Sequence, residues 1–186
     1  WDKPEMFTET FAAYSRPQYA ALTPENYWRV SLDQLTMGTN IQIEFEQKID
    51  GIDRFLGRGG YMLRGGRHVA DVAVVYPIAS LQAAYSFPGK QQNGHYYAYM
   101  GGVVPPEIDY MDIGESLFRG LRMDYTYLHP EGIARKCTVE GKELRLNNEN
   151  NWEQYKVLIL PGGEVLSADV AARIREFWRA GGTVIA

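Results

Sequence analysis

Hydrophobic positions along the chain alternate between two rhythms, and from Ala70 onward they do so regularly. "ADVAVVYP" (Ala70–Pro77) is a continuous apolar run ended by Pro77, the pattern of a strand buried on both faces. In "YMDIGESLFRGLRMD" (Tyr110–Asp124), Tyr110, Ile113, Leu117 and Leu121 step by three and four, which predicts an amphipathic helix. "YTYL" (Tyr125–Leu128) predicts a short strand. "CTVEGKELRL" (Cys137–Leu146) alternates about Gly141 and predicts a hairpin. "YKVLILP" (Tyr155–Pro161) predicts another buried strand. In the helix after it, Ser167 is the expected N-cap and Asp169 lies in the first turn; Gly181 and Gly182 end it. Val170, Ile174, Phe177 and Trp178 form its expected buried stripe, and "TVIA" (Thr183–Ala186) predicts a last strand.

The first seventy residues have a different order. "MFTETFAAY" (Met6–Tyr14) reads as a strand. Thr23 then stands as N-cap with Pro24 at the first helical position and Gly38 near the helix end. "IQIEF" (Ile41–Phe45) alternates as a strand. A second helix places Ile52, Phe55, Leu56, Gly59, Met62 and Leu63 on one face, and Gly65 and Gly66 stop it. This β-α-β-α order is that of the closing units of a (β/α)8 barrel. The later order of strand, helix, strand, hairpin, strand, helix, strand predicts a parallel, doubly wound sheet of flavodoxin-like order. The fold class expected is therefore α/β, with a partial barrel over residues 1–66 and an open-sheet domain over residues 67–186.

Composition narrows the function. Of 186 residues, 45% are hydrophobic and 23% charged, an ordinary globular balance, and the net charge of −4 proposes neither nucleic acid nor an anionic membrane as partner. No apolar run is long enough to suggest a membrane span, and no signal peptide is evident. The single cysteine, Cys137, excludes an internal disulfide framework and a cysteine-based structural zinc site. Trp1 is not a natural initiator and "TVIA" stops in mid-strand, so the chain reads as a fragment.

Five features are candidates for chemistry. The first is the strand end Pro161-Gly162-Gly163, either a source of backbone N–H groups for a catalytic pocket or a tight turn; without a nucleophile and base beside it, the turn is the favoured reading. The second is the pair of Arg-Gly-Gly triplets at Arg58 and Arg64, which suit RNA only in a disordered basic segment; here they interrupt an amphipathic helix in an acidic chain. The third is the histidines His68, His95 and His129, which lack metal-ligand spacing; Pro130 after His129 suggests a strand-to-helix turn. No cofactor is expected. The fourth is the long irregular stretch Ser86–Glu107, whose Tyr96, Tyr97 and Tyr99 suit stacking on a sugar or a neighbouring subunit as well as they suit packing on themselves. The fifth is Glu9, in the C-terminal half of its strand, where barrel enzymes place catalytic groups. A glycosidase needs two carboxyl groups; Glu44 is a weaker second candidate, and spacing alone favours a surface or salt-bridged role for Glu9.

"FLGRGGYMLRGGRHVADVAVVYPIASLQAAY" (Phe55–Tyr85), "LILPGG" and "IREFWRAGGTVIA" together resemble bacterial glycoside hydrolases of the α-L-rhamnosidase type. The resemblance covers most of the chain and is strongest from Phe55 onward. It implies a catalytic (β/α)8 barrel followed by a class I glutamine amidotransferase-like domain without amidotransferase activity, similar also to the trimerisation domain of some β-galactosidases. It implies a catalytic glutamate at Glu9, in a strand resembling the family's "TE-F-AYG", although Ser15 stands where glycine is expected. The stretch between Phe45 and Ile52 is short where the family has a long loop over the active site, and the earlier barrel strands lie outside this chain. In amidotransferases the nucleophilic cysteine comes after the strand equivalent to Thr183–Ala186; Cys137 lies in the hairpin and does not match it. The resemblance further implies a parent enzyme acting on polysaccharide or oligosaccharide glycosides, periplasmic or secreted. This chain is then inactive alone, and its partners are the parent's carbohydrate substrate, neighbouring domains or further copies. The alternative is a non-enzymatic interaction or oligomerisation module.

Overall fold

The computed structural model describes residues 7–10, 23–44, 51–84 and 107–186. They fall into two compact units, one of residues up to His68 with Glu149–Asn151, the other of Val69–Asn148 with Trp152–Ala186.

In the first unit, β1 (Phe7–Thr10) and β2 (Ile41–Glu44) pair in parallel, Phe7 opposite Ile41 and Thr10 opposite Glu44. The expected strand residues 11–14 and Phe45 lie outside the described residues. Between them runs α1 (Pro24–Thr36), started as its sequence demands: Thr23 is extended, its hydroxyl accepts the Asn26 N–H at 3.3 Å, and Pro24 opens the helix. Gly38, at φ 91°, turns the chain away beyond the helix end. The second helix, α2, spans Ile52–Leu63. Tyr27, Leu35, Ile52 and Leu56 form the core of the unit, with Trp28 edge-on to Phe55 at 5.3 Å. The buried face of α2 is narrower than the predicted stripe. Ile52, Leu56 and Gly60 are buried, whereas Phe55, Met62 and Leu63 are exposed. Gly60 rather than a bulky residue makes the close contact, because a methyl group there would overlap the Asn40 carbonyl oxygen.

The second unit is an α/β layer structure. Four parallel strands stand in the order β4-β3-β8-β9: Tyr125–Leu128, Val72–Val75, Val157–Ile159 and Thr183–Ile185. An antiparallel sheet of three joins β5 (Cys137–Glu140), β6 (Glu143–Leu146) and β7 (Glu153–Tyr155). Gly141, at φ 62°, makes the β5–β6 turn where the alternation predicted it. The helices are α3 (Ile78–Ala84), α4 (Tyr110–Glu115), α5 (Pro130–Lys136) and α6 (Ala168–Arg179).

Strand β3 is buried at all four positions because apolar cores form on both of its faces. Ala73 and Val75 join Leu158, Ile133 of α5, Val170, Ile174 and Phe177 of α6, and the small sheet. Val72 and Val74, the alternate positions, pack with Leu117 and, around it, Ile113, Tyr125 and Tyr127. This is the period-two alternation of a strand covered on both sides.

The second unit departs from the sequence pattern at three places. The helix expected over Tyr110–Asp124 ends earlier: after α4 its last turn widens to a π-helix over Ser116–Gly120, and Leu121 is exposed. The run Tyr155–Pro161 is two strands, because Lys156 separates β7 of the antiparallel sheet from β8 of the parallel one. Trp178 is exposed although its neighbour Phe177 is buried. Both cannot face the sheet at 100° per residue, and a ring at Phe177 fills the gap that Gly182 leaves, where a methyl group would overlap it.

Candidate functional site

Glu9 is the third of the four residues of β1 and pairs in register with Ile43. Glu44 pairs with Thr10, so the two glutamates stand one register step apart on neighbouring strands. Tyr96, Tyr97, Tyr99, His95 and Ser15 lie outside the described residues.

The Pro161-Gly162-Gly163 turn leaves the C-terminal end of β8. That position is where the strand order reverses: β3 is followed by a step one way to β4, then the chain returns to β8 on its other side and continues to β9. Crevices at such reversals, outside the strand C-termini, are the usual ligand sites of open parallel sheets. Here the turn is filled by the protein itself. The Gly162 N–H donates to the Asp109 carboxylate at 2.8 Å. A methyl group on Gly162 would overlap the Glu107 carbonyl oxygen, and one on Gly163 would come to 2.7 Å from the Ser80 hydroxyl. Both glycines therefore serve close backbone approach, and the first has its N–H already bonded.

The hydroxyl and carboxylate beside the turn, those of Ser80 and Asp109, are bonded to the backbone of Val165 and Gly162 rather than to each other. Cys137 is buried at the start of β5, and burial pushes its thiol up to about 12, only partly opposed by the charge of Arg173. Such a thiol is not the activated thiolate of covalent catalysis. His129 caps α5, its Nδ1 accepting the Glu131 N–H at 3.2 Å. His68 donates its backbone N–H to Asn151 at 2.9 Å. Among the described residues no group of three His, Cys, Asp or Glu side chains is placed to hold a metal ion, and no helix is long and apolar enough to cross a membrane.

Beside the turn, between it and the start of α3, lies a crevice of about 180 Å³. Val75, Pro77 and Ile78 line it from the β3 side, and Leu160, Val165 and Leu166 from the β8 side. Ser80, almost wholly buried, closes it: its hydroxyl accepts the Val165 N–H at 3.1 Å and donates to the Val165 carbonyl at 3.4 Å.

Two polar arrangements had no signal in the sequence. Glu153, 2% exposed, accepts a hydrogen bond from the Thr126 hydroxyl at 2.7 Å, joining β7 to β4 across the two sheets of the unit. Burial, followed by the nearby Glu153 charge, pushes the Tyr155 hydroxyl far up. The second arrangement is a cluster of rings running from the C-terminal end of β3 along β4. Tyr76 meets Tyr110 edge-on at 5.4 Å, Tyr110 meets Tyr127 at 5.6 Å, and Tyr125 meets Tyr127 at 4.9 Å. The Tyr127 hydroxyl donates to the Tyr110 carbonyl at 2.9 Å, and burial first, then Tyr125, push its ionisation up.

No family model matches the chain, and no curated protein matches it by sequence. In three dimensions it is similar to the rhamnosidase from Novosphingobium sp. PP1Y, with a TM-score of 0.50 and 16% identity. The match covers 88% of this chain and 16% of the rhamnosidase, so this chain spans a small part of that protein's length. At this identity the likeness is one of fold, an α/β arrangement resembling part of a rhamnosidase.

Proposed function

We propose that this chain is part of a glycoside hydrolase of the α-L-rhamnosidase type, with residues 1–66 belonging to its catalytic (β/α)8 barrel. Residues 67–186 form a non-catalytic accessory domain of flavodoxin-like, amidotransferase-like fold. The observation that carries this reading is the length of the structural likeness: 88% of the chain, too much for either unit alone. The parallel β1–β2 pair, each strand followed by a helix, supports the barrel part, since parallel neighbours of a barrel need that crossover. The strand order β4-β3-β8-β9 supports the accessory part, because it is the flavodoxin-like order with its first four strands. A turn N–H already bonded to Asp109 favours a domain without amidotransferase chemistry.

In this reading Glu9 is one of the two carboxyl groups that glycoside cleavage needs, acting as general acid or base. The test is hydrolysis of an aryl α-L-rhamnoside by the parent enzyme with and without Glu9→Gln. A fall in kcat of at least about a hundredfold is expected for loss of a general acid or base. An unchanged kcat removes Glu9 from the mechanism, and no turnover by the parent of any aryl glycoside removes the hydrolase reading itself.

A further inference from the structure

The crevice at the strand reversal of the second unit has no part in that chemistry, and its walls define what it accepts. We propose that it is a binding site for a compact, uncharged, apolar ligand about the size of one aromatic ring. Four observations carry this.

The first is its place, at the C-terminal ends of β3 and β8 where the strand order reverses. The second is its size: about 180 Å³, against apolar cavities of about 150 Å³ that hold benzene. The third is the chemistry of the walls: among the described residues they carry no ionisable acid or base other than the Tyr76 phenol, and Val75, Pro77, Ile78, Leu160 and Val165 outweigh the two serines, Ser80 and Ser167. A charged ligand would lose its hydration there with no partner of opposite charge to offset the loss.

The fourth observation weighs against the ligands that such crevices commonly take. Phosphates and other anions bind where backbone N–H groups are free to donate. Here the Val165 N–H of the wall is bonded to Ser80 and the Gly162 N–H of the adjoining turn to Asp109, while Ser167, the N-cap of α6, also lies in the wall. The Ser80 hydroxyl is engaged both as donor and as acceptor, so it has little left to offer the hydroxyls of a sugar. Apart from the Ser167 hydroxyl, the ligand is left with apolar contact, with Leu166, 43% exposed, at the mouth.

The experiment is a titration of the whole chain with toluene, read by residue-resolved amide shifts. L-rhamnose and inorganic phosphate serve as counter-probes, and Ala79→Leu, at a lining position, as a variant that fills the crevice. Saturable shifts at Ser80, Gly163 and Val165 are expected with toluene only, with affinity at least about tenfold weaker in Ala79→Leu, a factor worth about 1.4 kcal/mol. Shifts that do not saturate, that fall elsewhere, or that appear equally with L-rhamnose or phosphate overturn the proposal. So does undiminished toluene binding in a folded Ala79→Leu protein. Should that variant not fold, the position and saturation of the wild-type shifts decide the question by themselves. Neither Glu9 nor rhamnoside turnover enters the measurement, so this result and the test of the hydrolase reading are independent.

Discussion

Asp109 stands at the N-cap of α4, yet its carboxylate makes no bond to that helix and instead accepts the N–H of Gly162, fifty-three residues away. A donor in a tight turn, too close to the Glu107 carbonyl for a side chain, has no easy route to water, and the carboxylate meets that need. Asp109→Ala is expected to lower stability by about 1–3 kcal/mol, the usual cost of leaving a partly buried donor unmet, as read from urea unfolding. A loss of less than about 0.5 kcal/mol, the range of an ordinary surface change, would mean that the N–H finds another acceptor. Cys137 offers a second residue-scale prediction through pH. Its folded value of about 12 lies above the ordinary 9.0, so the unfolded chain gives up this proton first. The contribution to stability is whole below about pH 9 and is lost as pH rises from there towards 12. Across the first 1.5 pH units or so of that window the loss is about 2 kcal/mol, at about 1.4 kcal/mol per unit. Cys137→Ala should therefore lose less stability than the native chain between pH 8 and about pH 10.5; parallel curves for the two proteins would show that the thiol is not shielded.

At the scale of elements, glycines discriminate between packing and mere tolerance. In α2, Gly57 has open space where a methyl group would go, whereas a methyl group on Gly60 would overlap the Asn40 backbone. Gly57→Ala is expected to stabilise the first unit by about 0.5–1 kcal/mol through helix propensity, and Gly60→Ala to destabilise it by about 1–3 kcal/mol through overpacking. Thermal unfolding of the two variants checks the sign directly. Gly114 in α4 is a third case, since a methyl group there would overlap the hydroxyls of Tyr125 and Tyr127 on β4. These positions also mark what the amino-acid pattern could convey. Period and caps located α1, α2, β3, β4, the β5–β6 hairpin and α6, because each is a local property of a few residues. The apolar stripe of α2 came out too wide, because glycine at Gly60 buries a face that hydrophobicity alone cannot report. Helix α3 and the π-turn after α4 carry no period strong enough to reveal them. The break at Lys156 is invisible because an apolar run looks the same whether it serves one sheet or two. For the candidate site, the Pro-Gly-Gly turn could be located from its residues. The bond that occupies it could not, since Asp109 lies so far along the chain.

At the scale of the molecule, the second unit poses the question of how two sheets of different kind are held as one. Leu144, Leu146, Leu158 and Phe177 share one apolar core between them, and apolar contact is non-directional. The bond from Thr126 of β4 to Glu153 of β7 is directional, and it crosses from the parallel sheet to the antiparallel one at a carboxylate that is 2% exposed. Removing the donor with Thr126→Val leaves a buried carboxylate with one fewer hydrogen bond, and a loss of about 1–3 kcal/mol is expected. Replacing both partners by apolar groups removes the buried charge as well as the bond, and such exchanges are often neutral. The double variant Thr126→Val with Glu153→Leu should therefore be more stable than Thr126→Val alone. The double-variant cycle, measured by urea unfolding, isolates the coupling. Equal losses in the double variant and the sum of the singles would show two independent packing defects. A recovered stability identifies the pair as a coupled polar link between the two sheets, beside the covalent one, where the chain passes from β7 to β8 through Lys156 alone.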